Sequence, residues 1–132
     1  MARLLDAARR ARANAYAPYS HFHVGAALLA DDGRVFTGVN VENASYGLTT
    51  CAERTAMTRA VAEGARAFRA IAVVGPEDDV PCPPCGACRQ ILHELGPEMV
   101  VVMAEEGGRT RETSLRELLP GAFGSERLAE GR

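Results

Sequence analysis

The 132-residue chain predicts an α/β fold, a three-layer α-β-α sandwich with a mixed five-stranded sheet. Two near-continuous apolar runs, at residues 70–74 and 99–103, are typical of central strands that are covered on both faces. A β-hairpin pattern precedes them, and helical patterns lie between the predicted strands. Helices that alternate with strands pack on the faces of a sheet, and a hairpin adds antiparallel neighbours, so the sheet is expected to be mixed.

The first half of the chain predicts a helix and then the hairpin. Apolar residues recur at helical spacing over residues 4–15, and Pro18 ends that helix because proline cannot continue it. Residues 24–30 are apolar and short enough for a strand, and residues 34–39 are its return strand. Asp-Asp-Gly at residues 31–33 is a tight-turn signal between the two.

The second half alternates helices with the two apolar runs. Residues 50–53 have the S/T-x-x-E form of a capping box, so a helix is expected to begin there, and Gly64 ends it. Residues 86–95 predict a helix between the two runs. A short fifth strand is expected at residues 109–113, followed by a second capping box at residues 114–117 and a short helix.

The length predicts one domain, at residues 1–124, followed by a polar C-terminal tail at residues 125–132. No run of about 18 uncharged apolar residues is present, so no membrane partner is expected. The N-terminus lacks the apolar segment of a signal peptide. Four cysteines in such a chain favour metal binding in the reducing cytoplasm over disulfide bonds.

The charge distribution limits the classes of partner. The formal net charge is −2 at pH 7, and the 15 basic residues, all arginine, are spread along the chain with acids between them. A nucleic-acid-binding protein usually has a basic stripe. No nucleic-acid partner is therefore expected.

Three cysteines and one glutamate predict a metal centre. Cys85 and Cys88 have the C-x-x-C spacing that lets two thiolates hold one ion, and Cys51 lies at the start of another predicted helix. Three protein ligands leave a tetrahedral zinc with one open position, which distinguishes a catalytic zinc from a structural one. Glu53 lies two residues after Cys51, where a carboxylate can move protons for a water in that position.

The charge of this centre predicts a further participant. Three thiolates and one Zn²⁺ sum to a formal charge of −1, which weakens the zinc as a Lewis acid. The N-termini of the two predicted helices offer partial positive charge to the sulfurs. Arg54 follows Glu53 directly and can donate a charge-assisted hydrogen bond to a thiolate. We therefore expect Arg54 to support the zinc ligands.

Three other interpretations of these residues stay open at this point. Glu53 could be the last member of the capping box that begins at Thr50. Cys82 precedes Cys85 at C-x-x-C spacing, so a closed structural zinc with four cysteine ligands is possible, although prolines at positions 81, 83 and 84 stiffen the segment and disfavour it. A thioredoxin-like redox pair also has C-x-x-C spacing, but a third cysteine beside a glutamate disfavours it.

Five runs of sequence resemble the zinc-dependent cytidine deaminases, in particular their small homotetrameric class. The runs are SHFHVGAA (20–27), GVNVENASY (38–46), CAER (51–54), PCGACRQ (84–90) and LLPGAF (118–123). The resemblance covers the chain from residue 19 to residue 123. It implies one Zn²⁺ per subunit, held by Cys51, Cys85 and Cys88. It also implies hydrolytic deamination of cytidine and 2′-deoxycytidine in pyrimidine salvage, in which a zinc-bound hydroxide attacks C4 and Glu53 moves the protons.

The same resemblance implies how a nucleoside is bound. Asn40 and Glu42 are one residue apart in an extended segment, so both side chains face the same way. In the family, these two positions hold the sugar 3′-hydroxyl. Phe22 packs against the base, and the backbone of Ala52 meets the edge of the base.

The resemblance further implies a homotetramer whose subunits share active sites. The family positions that match Ala44 and Tyr46 reach into a neighbour's site, and Phe123 comes from another subunit.

Other functions are possible for the same motifs. A nucleoside deaminase acting on blasticidin S shares the C-A-E and P-C-G-x-C patterns, but residues 40–42 and Phe123 favour the ordinary nucleoside enzyme. A polynucleotide deaminase is disfavoured by the acidic balance of the chain. A non-catalytic structural zinc module would need the closed four-cysteine site.

Overall fold

The computed structural model describes residues 1–129, which form one five-stranded sheet with helices on both faces. The elements in chain order are α1 (Ala2–Arg12), β1 (Gly25–Ala30), β2 (Val35–Val39), α2 (Ala52–Ala62), β3 (Phe68–Val74), α3 (Gly86–Leu95), β4 (Val100–Glu105), β5 (Arg109–Ser114), α4 (Leu115–Leu118) and α5 (Ser125–Ala129). The predicted α/β fold with a mixed five-stranded sheet is confirmed.

The strands lie in the order β2-β1-β3-β4-β5. The predicted hairpin pairs β1 with β2, and β1 also pairs antiparallel with β3. The two apolar runs form β3 and β4, which are parallel, with Ala70 opposite Val100. β5 closes the far edge as an antiparallel neighbour of β4. Since a parallel pair needs a crossover connection, α3 lies between β3 and β4 in the chain.

The side chains of the central strands alternate between two buried clusters. Ile71 and Val73 of β3 pack with α2 and α3 on one face. The intervening Ala72 and its neighbours pack against Leu4 and Leu5 of α1 on the other face. Burial on both faces explains why the runs at β3 and β4 contain no alternating polar residues.

Two glycines let helices touch the sheet at backbone distance. A Cβ on Gly38 of β2 would lie 2.4 Å from the carbonyl oxygen of Ala52 and 2.4 Å from the backbone nitrogen of Ala56. A Cβ on Gly25 of β1 would lie 2.0 Å from the carbonyl oxygen of Ala8. No other residue type fits these positions without a backbone shift, so Gly38 fixes where α2 begins.

One of the two predicted capping boxes is wrong. α2 begins at Ala52, its N-cap is Cys51, and no side chain caps its N-terminus. At the second, the serine N-cap is confirmed, because the Ser114 hydroxyl accepts a hydrogen bond from the Glu117 N–H at 3.1 Å. The Glu117 carboxylate accepts from the Ser114 hydroxyl at 3.0 Å. The difference is burial, since Glu117 faces solvent whereas Glu53 is buried.

The ends of the chain add two observations. The predicted polar tail begins with the short helix α5, and its residues 130–132 lie outside the described part of the chain. Within residues 1–129, none of the helices combines the length and the apolar composition that crossing a membrane needs.

Candidate active site

Three cysteine thiols meet where α2 and α3 begin. Cys51 and Cys85 are the N-caps of these helices and have extended backbone, whereas Cys88 lies in the first turn of α3. The Sγ atoms of Cys51 and Cys85 are 3.6 Å apart, those of Cys85 and Cys88 are 3.1 Å apart, and all three lie within 4.8 Å of one another. Two helix N-termini therefore point their unpaired N–H groups toward the sulfurs.

The geometry of this cluster fits a zinc ion. Zn–S bonds of about 2.3 Å in a tetrahedron place sulfurs roughly 3.8 Å apart. The Cys51–Cys85 separation of 3.6 Å lies close to that value, and the Cys85–Cys88 separation of 3.1 Å is shorter. Within residues 1–129, it is the one group of three or more His, Cys, Asp or Glu side chains near enough to share an ion. Cys88 is buried and Cys85 is exposed, so the cluster is open on one side.

The thiols differ in acidity. Burial raises the pKa of Cys51 and of Cys88, and the charge of Glu53 adds to both rises. Burial also acts to raise the pKa of Cys85, but hydrogen bonds with the Cys88 thiol, the Cys88 backbone N–H and the Cys51 thiol outweigh it and lower the pKa. A metal ion binds thiolates, so metal binding must displace the protons that these thiols hold.

Glu53 lies beside the cluster in a buried position. Only 4% of the surface of Glu53 is exposed to solvent. Burial raises the pKa of Glu53, although backbone N–H groups of Glu53 and Cys85, the Cys88 thiol and the Arg54 guanidinium act to lower it. A raised pKa favours the protonated form, so the carboxyl can accept a proton and later return it, as a general base that later serves as an acid must do.

Cys82 is not part of the thiol cluster. Its side chain packs against the end of β3, since a Cβ on Gly75 would lie 3.0 Å from the Cys82 Sγ. Burial raises the pKa of the Cys82 thiol, and the charge of Glu53 adds to the rise. The structure therefore does not form the closed four-cysteine site that a structural zinc module would need.

A small cavity of about 180 Å³ opens beside the cluster. Its lining includes Cys82 and six of the residues predicted from sequence. The predicted residues are Phe22, Asn40, Cys51, Ala52, Glu53 and Cys85. This volume is smaller than the roughly 300–1,000 Å³ of most small-molecule sites. A larger cavity of about 380 Å³ near the C-terminal end of α3 contains none of the predicted site residues.

Asn40 and Glu42 have partners that the sequence did not indicate. Asn40 is 8% exposed; its Oδ1 accepts from the Val24 N–H at 2.9 Å and its Nδ2 donates to the Phe22 carbonyl oxygen at 2.7 Å. Glu42 accepts hydrogen bonds from backbone and side chain of Ser20. The Ser20 hydroxyl is the main reason that the pKa of Glu42 is lowered. Both predicted sugar-binding residues therefore also hold the segment around Phe22.

The structure does not bring Ala44, Tyr46 and Phe123 to the cavity. Tyr46 is 76% exposed and its ring lies 6.1 Å from that of Tyr19, centroid to centroid. Phe123 is 57% exposed, and its carbonyl oxygen accepts a hydrogen bond from Nε2 of Gln90 at 2.7 Å. Within one chain these residues face solvent.

Arg54 lies on α2 beside Glu53 and is half-buried. Its Nε is buried and has no hydrogen-bond partner among residues 1–129. Within residues 1–129, the hydrogen bonds between the three thiols do not involve Arg54. Arg54 therefore has a buried donor without a partner, on the residue that follows Glu53.

Sequence reasoning assigned no role to Ser20. Its hydroxyl accepts a hydrogen bond from the backbone N–H of Phe22 at 3.0 Å. A serine two residues before such an N–H is the pattern of a local serine turn. That pattern was visible in the sequence, but the contact to Glu42, 22 positions away, was not.

Comparisons with known proteins agree on one family. Residues 1–104 match the sequence profile of the cytidine and deoxycytidylate deaminase zinc-binding region. A cytidine deaminase from Halalkalibacterium halodurans is 54% identical over 124 residues, which are 93% of this chain and 93% of that protein. One from Sporosarcina psychrophila is 48% identical over 128 residues, 96% of this chain and 93% of that protein.

Solved structures give the same result. The crystal structure of a cytidine deaminase from Burkholderia pseudomallei superposes with a TM-score of 0.85 at 57% sequence identity. The match covers 92% of this chain and 97% of the other.

The position of Cys82 generates a test of the ligand set. Cys82→Val should leave the zinc content at one ion per chain, because Cys82 lies outside the cluster. Cys85→Ser should weaken zinc binding by at least about 100-fold, because it removes a ligand at the centre of the cluster. Zinc retained after dialysis against a graded series of chelator concentrations measures both effects. An equal loss of zinc in the two variants would show a four-cysteine site.

Proposed function

This chain belongs to the cytidine and deoxycytidylate deaminase family, and we propose that it hydrolyses cytidine and 2′-deoxycytidine to uridine and 2′-deoxyuridine with release of ammonia. The observation that supports this most directly is the buried carboxyl of Glu53 beside three thiols that can share one ion. The cavity is lined on the protein side by the aromatic ring of Phe22, which can pack against a base, and by the polar side chain of Asn40.

Cys51, Cys85 and Cys88 would hold one Zn²⁺ per subunit. When bound, the zinc supplies Lewis acidity, which lowers the pKa of a water molecule toward neutrality. The convergent N-termini of α2 and α3 offset part of the negative charge of the sulfurs.

Glu53 moves the protons of the reaction. Its carboxylate accepts a proton from the attacking water as oxygen adds to C4 of the pyrimidine, and it then delivers that proton to N3. A second proton passes from the new C4 hydroxyl through Glu53 to the amino group, the C4–N bond breaks, and ammonia leaves a C4 carbonyl. Burial keeps the pKa of Glu53 raised, so that the carboxyl can hold a proton between these steps.

The remaining pocket residues orient the nucleoside. Phe22 packs against the base, and the backbone of Ala52 meets its edge. Asn40 and Glu42 bind the sugar 3′-hydroxyl. Their hydrogen bonds within the chain leave donors and acceptors available for it. Nδ2 of Asn40 has a second N–H, and a carboxylate accepts about four hydrogen bonds.

The active enzyme is a homotetramer in which neighbours complete each site. The cavity of one chain is small, and large apolar side chains such as Phe22, Tyr46 and Phe123 face solvent. Ala44, Tyr46 and Phe123 would reach the sites of neighbouring subunits. A cluster of thiols that must stay reduced to bind zinc suits the cytoplasm.

Arg54 supports the ligands by offsetting their charge. Its buried Nε has no partner in residues 1–129 and is available to a thiolate. A bound divalent cation needs all three sulfurs ionised, which strengthens the attraction to the guanidinium.

Substitution of Glu53 tests the proposed reaction. Glu53→Gln should lower kcat for cytidine by at least about 10²–10⁴-fold, because an amide cannot transfer the protons. Zinc content should stay at one ion per chain. Ammonia release from cytidine, 2′-deoxycytidine and cytidine monophosphate measures the activity. Glu63→Gln, the same change at the exposed end of α2, is the matched control and should behave as the wild type. Turnover by zinc-loaded Glu53→Gln would refute this role.

Arg54 has its own test. Arg54→Ala should weaken zinc binding and lower kcat by about 10–100-fold each, as expected for a group that supports metal ligands. Arg59→Ala removes an exposed arginine from the same helix and should change neither quantity. If zinc affinity and kcat were both unchanged in Arg54→Ala, the residue would have no part in the site.

Sharing of sites between subunits can be tested by complementation. Phe123→Ala and Glu53→Gln should each be inactive when expressed alone. Co-expressed, they should form mixed tetramers in which an intact Glu53 meets a Phe123 from its neighbour, so that part of the activity returns. Light scattering measures the assembly state, and ammonia release measures the activity. Lack of recovery in mixed tetramers, or full activity of a dilute monomer, would contradict shared sites.

A further inference from the structure

The carboxylate of Glu42 is held by the segment that leads to Phe22. Its Oε1 accepts hydrogen bonds from the backbone N–H of Tyr19 at 3.0 Å and of Ser20 at 3.2 Å. Its Oε2 accepts a hydrogen bond from the Ser20 hydroxyl. Three donors from two consecutive residues therefore fix the orientation of one carboxylate.

The Ser20 hydroxyl has a second partner. Its single proton is donated to Glu42, and its oxygen accepts from the backbone N–H of Phe22 at 3.0 Å. The hydroxyl thus bridges Glu42 and Phe22 in an unbroken chain of hydrogen bonds. A bond to an ionised acceptor strengthens the neighbouring bond in such a chain.

The backbone between Ser20 and Phe22 is strained. His21 has φ 62°, in the left-handed region, and it is the one non-glycine residue of the described chain with positive φ. Such a conformation persists where surrounding contacts over-determine it. Ser20 and Phe22 flank His21. The hydrogen bond from Ser20 to Glu42 and the one from Phe22 to Ser20 are contacts that hold this conformation.

Asn40 holds Phe22 from the other side. Its Nδ2 donates to the Phe22 carbonyl oxygen, and its Oδ1 accepts from the N–H of Val24. The backbone of Phe22 is therefore bonded at its N–H and at its carbonyl, while its ring, on a residue 51% exposed, lines the cavity.

We propose that Ser20 is a positioning residue that couples Glu42 to Phe22, so that binding of the sugar 3′-hydroxyl at Glu42 and packing of the Phe22 ring on the base occur as one event. This rests on the proposed function, in which Glu42 binds the sugar and Phe22 the base. Without the Ser20 hydroxyl, Glu42 keeps two backbone donors but loses its link to Phe22. The enzyme then has a weaker preference for substrates that carry the sugar 3′-hydroxyl.

The test compares a substrate pair that differs by the 3′-hydroxyl, 2′-deoxycytidine and 2′,3′-dideoxycytidine. The wild-type protein should prefer 2′-deoxycytidine in kcat/KM by at least about tenfold, because the analogue lacks the hydroxyl that Glu42 and Asn40 bind. Ser20→Ala should reduce this preference at least about fivefold, mainly through a higher KM for 2′-deoxycytidine, with zinc content unchanged and Tm lowered by at most about 10 °C. A merely structural role would affect both substrates equally.

Two variants serve as controls. Ser20→Thr retains the hydroxyl and should retain the wild-type preference. Thr110→Val deletes a hydroxyl from the exposed edge strand β5 and should leave the preference unchanged. Ser20→Cys, which replaces the hydroxyl by a weak donor, repeats the measurement if Ser20→Ala does not fold.

A double-variant cycle tests the coupling itself. In a Phe22→Leu background, Ser20→Ala should have less than about a twofold further effect on the preference, because the aromatic ring that Ser20 positions is gone.

Three results would overturn the inference. They are an unchanged preference in folded Ser20→Ala, an equal loss in Ser20→Thr, and a wild-type enzyme that does not prefer 2′-deoxycytidine. Failure of the zinc-loaded wild-type protein to release ammonia from cytidine is a different result, because it would overturn the proposed function as well.

Discussion

The rest of the structure depends on the convergence of two helix N-termini at one point. Cys51 and Cys85 each occupy the last extended position before a helix, and Cys88 lies within the next turn. The sheet brings these helices together: β2 contacts the start of α2 through Gly38, and the parallel pair of β3 and β4 requires a crossover that contains α3. Backbone N–H groups without partners in their own helices therefore surround the sulfurs.

Negative charge concentrates where the two helices meet. Glu53 raises the pKa of neighbouring thiols, and burial raises the pKa of Glu53. Without a cation, the raised pKa values of Cys51, Cys88 and Glu53 favour their protonated forms, which lessens the repulsion between these groups. A divalent cation takes the place of several protons at once, so the crowding that disfavours three thiolates in the bare protein favours a metal ion. The carboxyl stays close enough to exchange protons with whatever binds there.

The sequence predicted the parts of the fold in which one local signal dominates. Two apolar runs and an Asp-Asp-Gly turn were enough for the central strands and the hairpin, because burial on both faces and turn chemistry leave clear patterns. The capping box predicted at residues 50–53 is wrong, because Glu53 is buried in the fold and does not cap the start of α2. The cluster followed from spacing and resemblance, and the prolines that flank Cys82 had already disfavoured it as a fourth ligand, which the geometry of the cluster confirms. The partners of Glu42 come from over 20 positions away, where no local pattern reaches.

The backbone contacts of Gly25 and Gly38 also affect how such an enzyme can change. Helices α1 and α2 rest on the main chain of β1 and β2, with no side chain between them at these points. The spacing of the layers is therefore set by main-chain atoms, which stay the same when core side chains are exchanged. Part of the wall of the cavity, by contrast, is made of side chains from loops, such as Phe22 and Cys82. Substitutions of these cavity side chains can therefore change the substrate preference while the positions of the metal-binding thiols stay the same.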